Sequence, residues 1–244
     1  MNAQDTDNLQ IGIFVDPNCY IPDIIGVYTV FSIVLNCDIH FVWKNKDLWS
    51  SKNLIAGALP SFPMHATTTF SECPQDLDVL CIGASTPEIL TDEESLAFLA
   101  DRGSRAKYLV GICAGSLTLG AAGLLTGYRA TTNYQIVDEL SHFGAIPVKG
   151  GNVVVDKNRI TASPVSGSFD AGLLVLAKLR GEDAAQEVEL TMEYAPHPPF
   201  GTGSPELAGP ELTQRVIQKY DAIFDETRKA VRKAAERLAV VKTA

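Results

Sequence analysis

The sequence lacks several features that identify common classes of protein. None of its apolar runs reaches the roughly 20 residues that a membrane-spanning helix requires. No Gly-x-Gly-x-x-Gly follows the first predicted strand and no P-loop motif occurs, so nothing indicates a dinucleotide or nucleotide site. The histidines, cysteines and glutamates show no metal-ligand spacing. We therefore expect no metal.

Positive charge is also scarce. The chain has 20 Lys and Arg against 29 Asp and Glu, a formal net charge of −9. This balance disfavours nucleic acid or an anionic membrane surface as a partner. Residues 1–10 are polar and acidic, without the basic and then apolar segments of a secretory signal. We therefore expect a soluble protein of the cytoplasm.

The five cysteines are odd in number and irregular in spacing, and no two are separated by the two residues of a zinc knuckle or redox dithiol. Without an export signal, reduced thiols are expected. The cysteines stand at Cys19, Cys37, Cys73, Cys81 and Cys113. The open question is whether one of them is a nucleophile.

Strands and helices alternate through the first two thirds of the chain. Short apolar runs predict strands at 11–15, 38–44, 76–83 and 107–112, and helical spacing predicts helices at 21–35, 91–106 and 134–144. A hairpin at 152–163 and helices at 166–181, 182–195 and about 211–241 follow. Such alternation indicates an α/β fold, a three-layer sandwich around a mostly parallel central sheet. We expect one domain over residues 1–244, with an amphipathic C-terminal helix.

Cys113 lies where the predicted strand 107–112 turns abruptly into a helix rich in small residues. In parallel sheets, sites form at such carboxyl ends of strands. Gly111 and Gly115 on either side permit a sharp turn, comparable with a nucleophile elbow. The N-terminus of the following helix favours an ionised sulfur. The alternative is a small cysteine packed among Ala and Gly in the core.

A nucleophile needs a proton carrier, and the four histidines are poorly placed for that role. Asp23 fits better, because it follows the first strand and falls on the same edge of the sheet as Cys113. It either exchanges a proton with the thiol or merely caps its helix. The backbone amides of Gly83 and Ala84, with those of Cys113 and Ala114, are candidates to stabilise developing negative charge.

Three segments carry a resemblance to a known family: "GICAGSLTLGAAGLLTGYRATTNY" at 111–134, "PDIIGVYTVFS" at 22–32 and "EYAPHPPFGTGSPE" at 193–206. Together they resemble the ThiJ/PfpI superfamily, and within it the isonitrile (isocyanide) hydratases, from Ile11 to about Glu206. The resemblance implies a flavodoxin-like, glutamine amidotransferase-like fold, a homodimer and no cofactor. It also implies that an isonitrile is hydrated to an N-substituted formamide through a Cys113 thioimidate, with Asp23 as general acid and base.

The sequence departs from that family around the predicted site. Ala114 replaces a threonine, Asn133 a histidine and Ala84 a glycine, and Ser163-Pro164 stands where glycines are expected. The residues expected to line the pocket or to offer backbone amides are Gly83, Ala84, Ala114, Cys19, Tyr20, Thr132, Asn133 and Ser163.

Two other functions remain open. Superfamily folds host several activities, so the same thiol is compatible with glyoxalase-like chemistry on aldehydes. A regulatory protein that senses oxidants through Cys113 is the non-enzymatic alternative.

Overall fold

The computed structural model describes residues 7–50 and 63–243. Residues 1–6, which contributed to the expectation about a secretory signal, lie outside the described residues. The expectation of one domain over residues 1–244 therefore stays a prediction.

The described residues contain eleven strands and six α-helices. The strands are β1 (Leu9–Phe14), β2 (Cys37–Trp43), β3 (Trp49–Ser50), β4 (Pro63–Met64), β5 (Thr68–Thr69), β6 (Val79–Ile82), β7 (Tyr108–Ile112), β8 (Arg129–Ala130), β9 (Ile146–Pro147), β10 (Val153–Asp156) and β11 (Arg159–Ala162). The helices are α1 (Pro22–Ser32), α2 (Glu93–Arg105), α3 (Gly115–Ala121), α4 (Gly167–Arg180), α5 (Glu182–Thr191) and α6 (Pro205–Thr243). Two 3₁₀ helices cover Pro87–Thr91 and Val137–Phe143.

A seven-stranded sheet in the order β10-β11-β7-β6-β1-β2-β5 forms the centre of the fold. Its neighbours are parallel, except for the antiparallel pair β10 and β11. Ile11 and Ile13 of β1 and Val110 of β7 are fully buried, as expected for strands covered on both faces. The predicted flavodoxin-like sandwich is confirmed.

Helices cover both faces of this sheet. Helix α1 packs on α4, and α4 packs on α5. Helices α2, α3 and α6 pack with the two 3₁₀ helices as the other group. This arrangement leaves the carboxyl ends of β1, β6, β7 and β11 together at one edge, which is where binding sites form in parallel sheets.

The contact between α1 and α4 depends on Gly26. A Cβ at this position would lie 2.2 Å from Ser168 Oγ and 2.4 Å from the backbone nitrogen of Phe169. The Gly26 N–H donates a hydrogen bond to Ser168 Oγ at 3.1 Å. The two backbones therefore approach each other more closely than any side chain at position 26 would allow.

Gly26→Ala is expected to destabilise the protein although alanine is the better helix former. The gain in helix propensity is at most about 1 kcal/mol, whereas overpacking against a backbone atom costs about 1–3 kcal/mol. The expected result is a lower free energy of unfolding, measured by urea titration. Gly203→Ala is the matched control, because a Cβ there would have nothing within 4 Å. Equal stability of both variants would contradict the prediction.

Some predicted elements differ from those observed. The segment predicted as a helix over 134–144 is a 3₁₀ helix over Val137–Phe143, and it ends at Gly144 with φ 74°. The C-terminal helix predicted from about 211 is continuous after Gly209, whose φ of 76° and ψ of 168° interrupt α6. The two-residue strands β3, β4, β5, β8 and β9 were not predicted, since such short pairings leave no periodicity. Among the described residues no helix is both long and apolar enough to cross a membrane.

Candidate active site

Cys113 lies between the central strand β7 and α3, with φ 53°. Gly115 is essential to this turn, because a Cβ there would lie 2.1 Å from the carbonyl oxygen of Ile82. A Cβ at Gly111 would lie 2.9 Å from Ser116 Oγ. Gly115 therefore lets the elbow pack directly against the end of β6, and Gly111 lets β7 pack closely against the start of α3.

Three groups contact the Cys113 sulfur. It is hydrogen-bonded to the Asp23 carboxylate, to the backbone N–H of Ala114 and to the side chain of Asn133. The N–H of Gln135 donates to Asn133 Oδ1 at 3.0 Å, so the amide nitrogen of Asn133 is the atom that faces the sulfur. The sulfur thus has two donors beside it and one proton acceptor.

The expectation of a resting thiolate is wrong. Burial and, secondarily, the negative charge of Asp23 raise the pKa of Cys113 well above that of a free thiol. The Ala114 N–H and the Asn133 amide lower it, but by less than burial raises it. Helix α3 is also only seven residues long. In the resting site the proton is therefore on the sulfur, which donates it to Asp23.

Asp23 is fully buried in the first turn of α1. Its Oδ2 accepts a hydrogen bond from the Ala84 N–H at 3.0 Å, and its Oδ1 accepts one from the Val165 N–H at 2.9 Å. Burial raises the pKa of Asp23 to about 6, against the opposing effect of these two donors and of Cys113. The carboxyl group is thus ionised at neutral pH but gains a proton easily.

The role of the Gly83-Ala84 backbone differs from the one predicted. The Ala84 N–H is bound to Asp23 and the Cys113 N–H donates to the Ala162 carbonyl at 3.0 Å, so neither is available to developing negative charge. Gly83 allows a close approach instead, since a Cβ there would lie 3.0 Å from the Cβ of Asp23. This loop holds the acid.

Val165 is a site residue that the sequence did not predict. It provides an N–H to Asp23, and its φ of 55° lies in the left-handed region, which is unfavourable for a β-branched residue. The departure at Ser163-Pro164 marked the segment as unusual, but no sequence signal identifies a backbone donor.

The other predicted pocket residues are divided between the site and its surroundings. Thr132 is buried and its Oγ1 donates to the Cys113 carbonyl, which fixes the elbow. Tyr20 is half-buried, and its N–H donates to the Ala84 carbonyl at 2.7 Å. Burial, followed by the charges of Asp23 and Cys113, raises the pKa of Tyr20, so its ring lies beside the pair.

Cys19 and Ser163 are not among the three groups that are hydrogen-bonded to the Cys113 sulfur. Burial, and after it the charge of Asp16, raises the pKa of Cys19 to about 12, so this thiol stays protonated. Ser163 Oγ donates to Asn152 Oδ1 at 2.5 Å. Their place in the lining of the pocket stays a prediction.

Asp16 is a second buried carboxyl group at this edge of the sheet, and sequence analysis missed it. Its Oδ1 accepts hydrogen bonds from the Asn18 N–H at 2.7 Å and from Ser85 Oγ at 2.9 Å. Burial raises the pKa of Asp16. These contacts stiffen the loop that continues into Ala84. Across the described residues, no three His, Cys, Asp or Glu side chains come together in a way that would hold a metal ion.

The arrangement brings together a thiol at a tight elbow, a carboxylate that accepts its proton, and two N–H donors at the sulfur. A carboxyl group with a pKa near 6 gives and takes protons readily at neutral pH. The site therefore has the parts needed for nucleophilic attack by sulfur coupled to movement of one proton.

Comparison with known proteins gives concordant findings. A family model described as the DJ-1/PfpI family matches residues 23–178. Isonitrile hydratase from Pseudomonas putida is 39% identical over 224 residues, which cover 91% of this chain and 89% of that protein. The crystal structure of a ThiJ/PfpI family protein from Pseudomonas syringae has a TM-score of 0.85 and 38% identity, and the match covers 96% of this chain and 94% of that one.

A more distant structure shares the fold alone. A DJ-1 superfamily protein from Salmonella typhimurium has a TM-score of 0.66 at 20% identity, with coverage of 77% of this chain and 99% of that one.

Proposed function

This chain belongs to the DJ-1/PfpI family, and from that premise we propose that it hydrates isonitriles, R–N≡C, to N-substituted formamides. The observation that carries the proposal is the hydrogen bond between the Cys113 thiol and the buried Asp23 carboxylate. The identity of 39% with an isonitrile hydratase over nearly the whole chain supports the same reaction.

In the first step, the Cys113 sulfur attacks the terminal carbon of the isonitrile while Asp23 accepts the thiol proton. The Asp23 carboxyl group then gives that proton to the same carbon. The product is a thioimidate, S–CH=N–R, in which one S–H bond has been replaced by a C–S and a C–H bond. Asp23 is ionised again at the end of this step. An isonitrile carbon is a soft electrophile, which suits sulfur as the nucleophile.

In the second step, water adds to the thioimidate carbon. Asp23 accepts a proton from the water as the water oxygen bonds to carbon, and then gives that proton to the imine nitrogen, so that Asp23 is ionised again. The tetrahedral adduct collapses by breaking the C–S bond, and the hydroxyl proton returns to sulfur. The formamide leaves, and the site is again a thiol beside a carboxylate. The N–H groups of Ala114 and Asn133 stabilise the negative charge that develops on sulfur in both steps.

The experiment that tests this function incubates the purified protein with an alkyl isonitrile in ¹⁸O-labelled water. The expected result is loss of the isonitrile with appearance of a formamide that carries one ¹⁸O atom. Absence of turnover across a panel of alkyl and aryl isonitriles would contradict the proposal. Methylglyoxal is assayed in parallel, and turnover of that aldehyde alone would favour the glyoxalase-like reaction.

The raised pKa of Cys113 bears on the regulatory alternative. A thiol that senses oxidants reacts as an exposed thiolate of low pKa. Cys113 is buried, and burial disfavours its ionised form. This weakens the sensor hypothesis and supports a site in which the thiol is activated only when Asp23 accepts its proton.

The activity is expected to fall in acid with a midpoint near pH 6. The reason is that the pKa of Asp23 is raised to about 6, and only its ionised form accepts the thiol proton. Below that value kcat/KM should decrease about tenfold per pH unit, since it follows ionisation of the free enzyme. The measurement is formamide production between pH 4.5 and 8, corrected for uncatalysed hydrolysis. A rate that stays constant to pH 4.5 while circular dichroism shows a folded protein would contradict the assignment.

We propose that the protein is a homodimer, as the resemblance to the family implies. We also propose that it acts in the cytoplasm on a small-molecule substrate and that its catalysis needs no cofactor.

A further inference from the structure

The hydroxyl group of Ser168 occupies a central position between two elements that hold Asp23. Ser168 lies in the first turn of α4 and is fully buried. Its Oγ donates to the Val165 carbonyl at 2.5 Å and accepts from the Gly26 N–H at 3.1 Å. Gly26 lies three residues after Asp23 on α1, and Val165 supplies the N–H that binds Asp23 Oδ1.

These contacts form a closed ring. It runs from the Asp23 carboxylate to the Val165 N–H, through Val165 to its carbonyl, then to Ser168 Oγ and the Gly26 N–H, and back along α1 to Asp23. The other donor to Asp23, the Ala84 N–H, belongs to the loop after β6 and lies outside this ring. One buried hydroxyl group therefore links the helix that carries the acid to the turn that holds it.

The hydrogen bonds of this ring hold Val165 in a backbone conformation that it would otherwise leave. A β-branched residue at a φ of 55° persists only where its surroundings hold it there. The Val165 side chain is 39% exposed, so its own packing offers little restraint. The Val165 carbonyl accepts hydrogen bonds from the Ser168 hydroxyl and from the Ser168 N–H at 3.0 Å, and the two together fix the orientation of the peptide unit that follows Val165 and hence of the turn.

We propose that Ser168 is a positioning residue for Asp23, which holds Val165 in its left-handed conformation and so keeps the Val165 N–H on the carboxylate. This inference deepens the proposed function, because it concerns the proton carrier of the same site. Ser168 itself touches neither Cys113 nor the reacting carbon. Its effect is exerted through Val165 and through Gly26 of α1.

The expected consequence is a change in the titration of Asp23. The Val165 N–H lowers the pKa of Asp23, so losing that donor raises it further above the ordinary value. The other titratable groups coupled to Asp23 are Cys19, Tyr20, Cys81 and Cys113, all weak acids with raised pKa values. Asp23 is therefore the group among them that titrates near pH 6.

The test uses Ser168→Ala in the full chain, which removes the hydroxyl group, keeps nearly the same volume and raises helix propensity slightly. The readout is the rate of Cys113 alkylation by iodoacetamide as a function of pH, quantified by mass spectrometry of the Cys113 peptide. The acid limb should move upward by about half a pH unit to one unit, so that the rate falls about two- to fivefold at pH 6 and about three- to tenfold well below pH 6. The acid limb of kcat/KM for isonitrile hydration should move equally.

Ser95→Ala is the matched control. Ser95 is also a fully buried helical serine, in the first turn of α2, and its hydroxyl group makes no hydrogen bond to a residue of the site. Its alkylation profile should coincide with that of the unmodified protein. An unshifted acid limb in Ser168→Ala, or an equal shift in Ser95→Ala, would overturn the proposal.

A second variant separates positioning from a loss of stability. Glycine adopts positive φ without strain, so Val165→Gly added to Ser168→Ala should return part of the shift, although it adds no contact. A double variant with the full shift would overturn the proposal. Alkylation needs no isonitrile, so the two proposals can fail separately. If the protein does not hydrate isonitriles but Ser168→Ala still shifts the acid limb of alkylation, the proposed function is refuted and the positioning role of Ser168 is kept.

Discussion

Cys113→Ser is expected to reduce kcat/KM for an isonitrile by roughly 10⁴- to 10⁶-fold, the range seen when a catalytic nucleophile is removed. The serine hydroxyl is close in size and keeps a hydrogen-bond donor beside Asp23. An alcohol is much harder to ionise than a thiol, however, and oxygen is a poor nucleophile for a soft carbon. The measurement is formamide production under single-turnover conditions.

Cys37→Ser is the control for that variant. Cys37 is half-buried and is the first residue of β2, so it lies at the amino ends of the parallel strands, whereas Cys113 lies at their carboxyl ends. Its replacement should leave kcat/KM within a factor of about two. Substantial turnover by Cys113→Ser, or an equal loss in both variants, would remove Cys113 from the mechanism.

Asp23→Asn is expected to separate catalysis from thiol reactivity. Hydration should fall about 10²- to 10⁴-fold, because an amide neither accepts the thiol proton nor returns it to carbon. Both the charge of Asp23 and its hydrogen bond raise the pKa of Cys113, so their removal lowers that pKa. Without the carboxylate as proton acceptor, alkylation of Cys113 by iodoacetamide should lose its acid limb near pH 6 and follow ionisation of the thiol alone. It should therefore become faster than in the unmodified protein at pH 8, while turnover collapses.

The control for Asp23→Asn is Asp78→Asn. Asp78 is also buried, but it precedes β6 at the opposite edge, where it accepts from the Gln10 N–H at 2.7 Å and pairs with Lys107. This variant should lose stability and keep both reactivities. Slower alkylation in Asp23→Asn would mean that the carboxylate does not oppose ionisation of the thiol.

The order of the central elements was predictable because parallel strands leave a simple pattern. Apolar runs such as Ile11–Val15 and the predicted strand 107–112 each coincide with a buried strand of the sheet. The hairpin was predicted from Val-rich and Ile-containing runs around 156–158, and β10 and β11 pair as expected. The 3₁₀ helix over Val137–Phe143 was predicted as α-helix, because apolar spacing over two turns hardly distinguishes the two geometries.

The elbow and the acid were accessible from sequence for a physical reason. Gly115 is required by a backbone contact that no side chain tolerates, and Gly111 by close contacts with α3. Asp23 follows β1 at the start of α1, which places it at the carboxyl end of that strand. What the sequence could not provide was the direction in which burial changes the pKa of Cys113. That depends on how many groups enclose the sulfur, which no local pattern records.

The backbone donors were the least predictable part of the site. Val165 reaches Asp23 across 142 positions of the chain, and Ala84 across 61. A main-chain N–H has no residue-type signature, so only the tertiary arrangement identifies it. The same reason explains why the amides of Ala84 and Cys113 were assigned to developing charge, whereas each is bound elsewhere.

The two outermost strands of the sheet have a consequence for how copies of the protein meet. At one end β5 has two residues, and at the other β10 has four, with the Asp156 carboxylate bound to the Arg129 N–H at 2.7 Å. Exposed strand edges are where chains add to one another in aggregation and fibril growth, and short or acidic edges discourage it. The central strands, the most apolar of the fold, are thus shielded from edge-to-edge association.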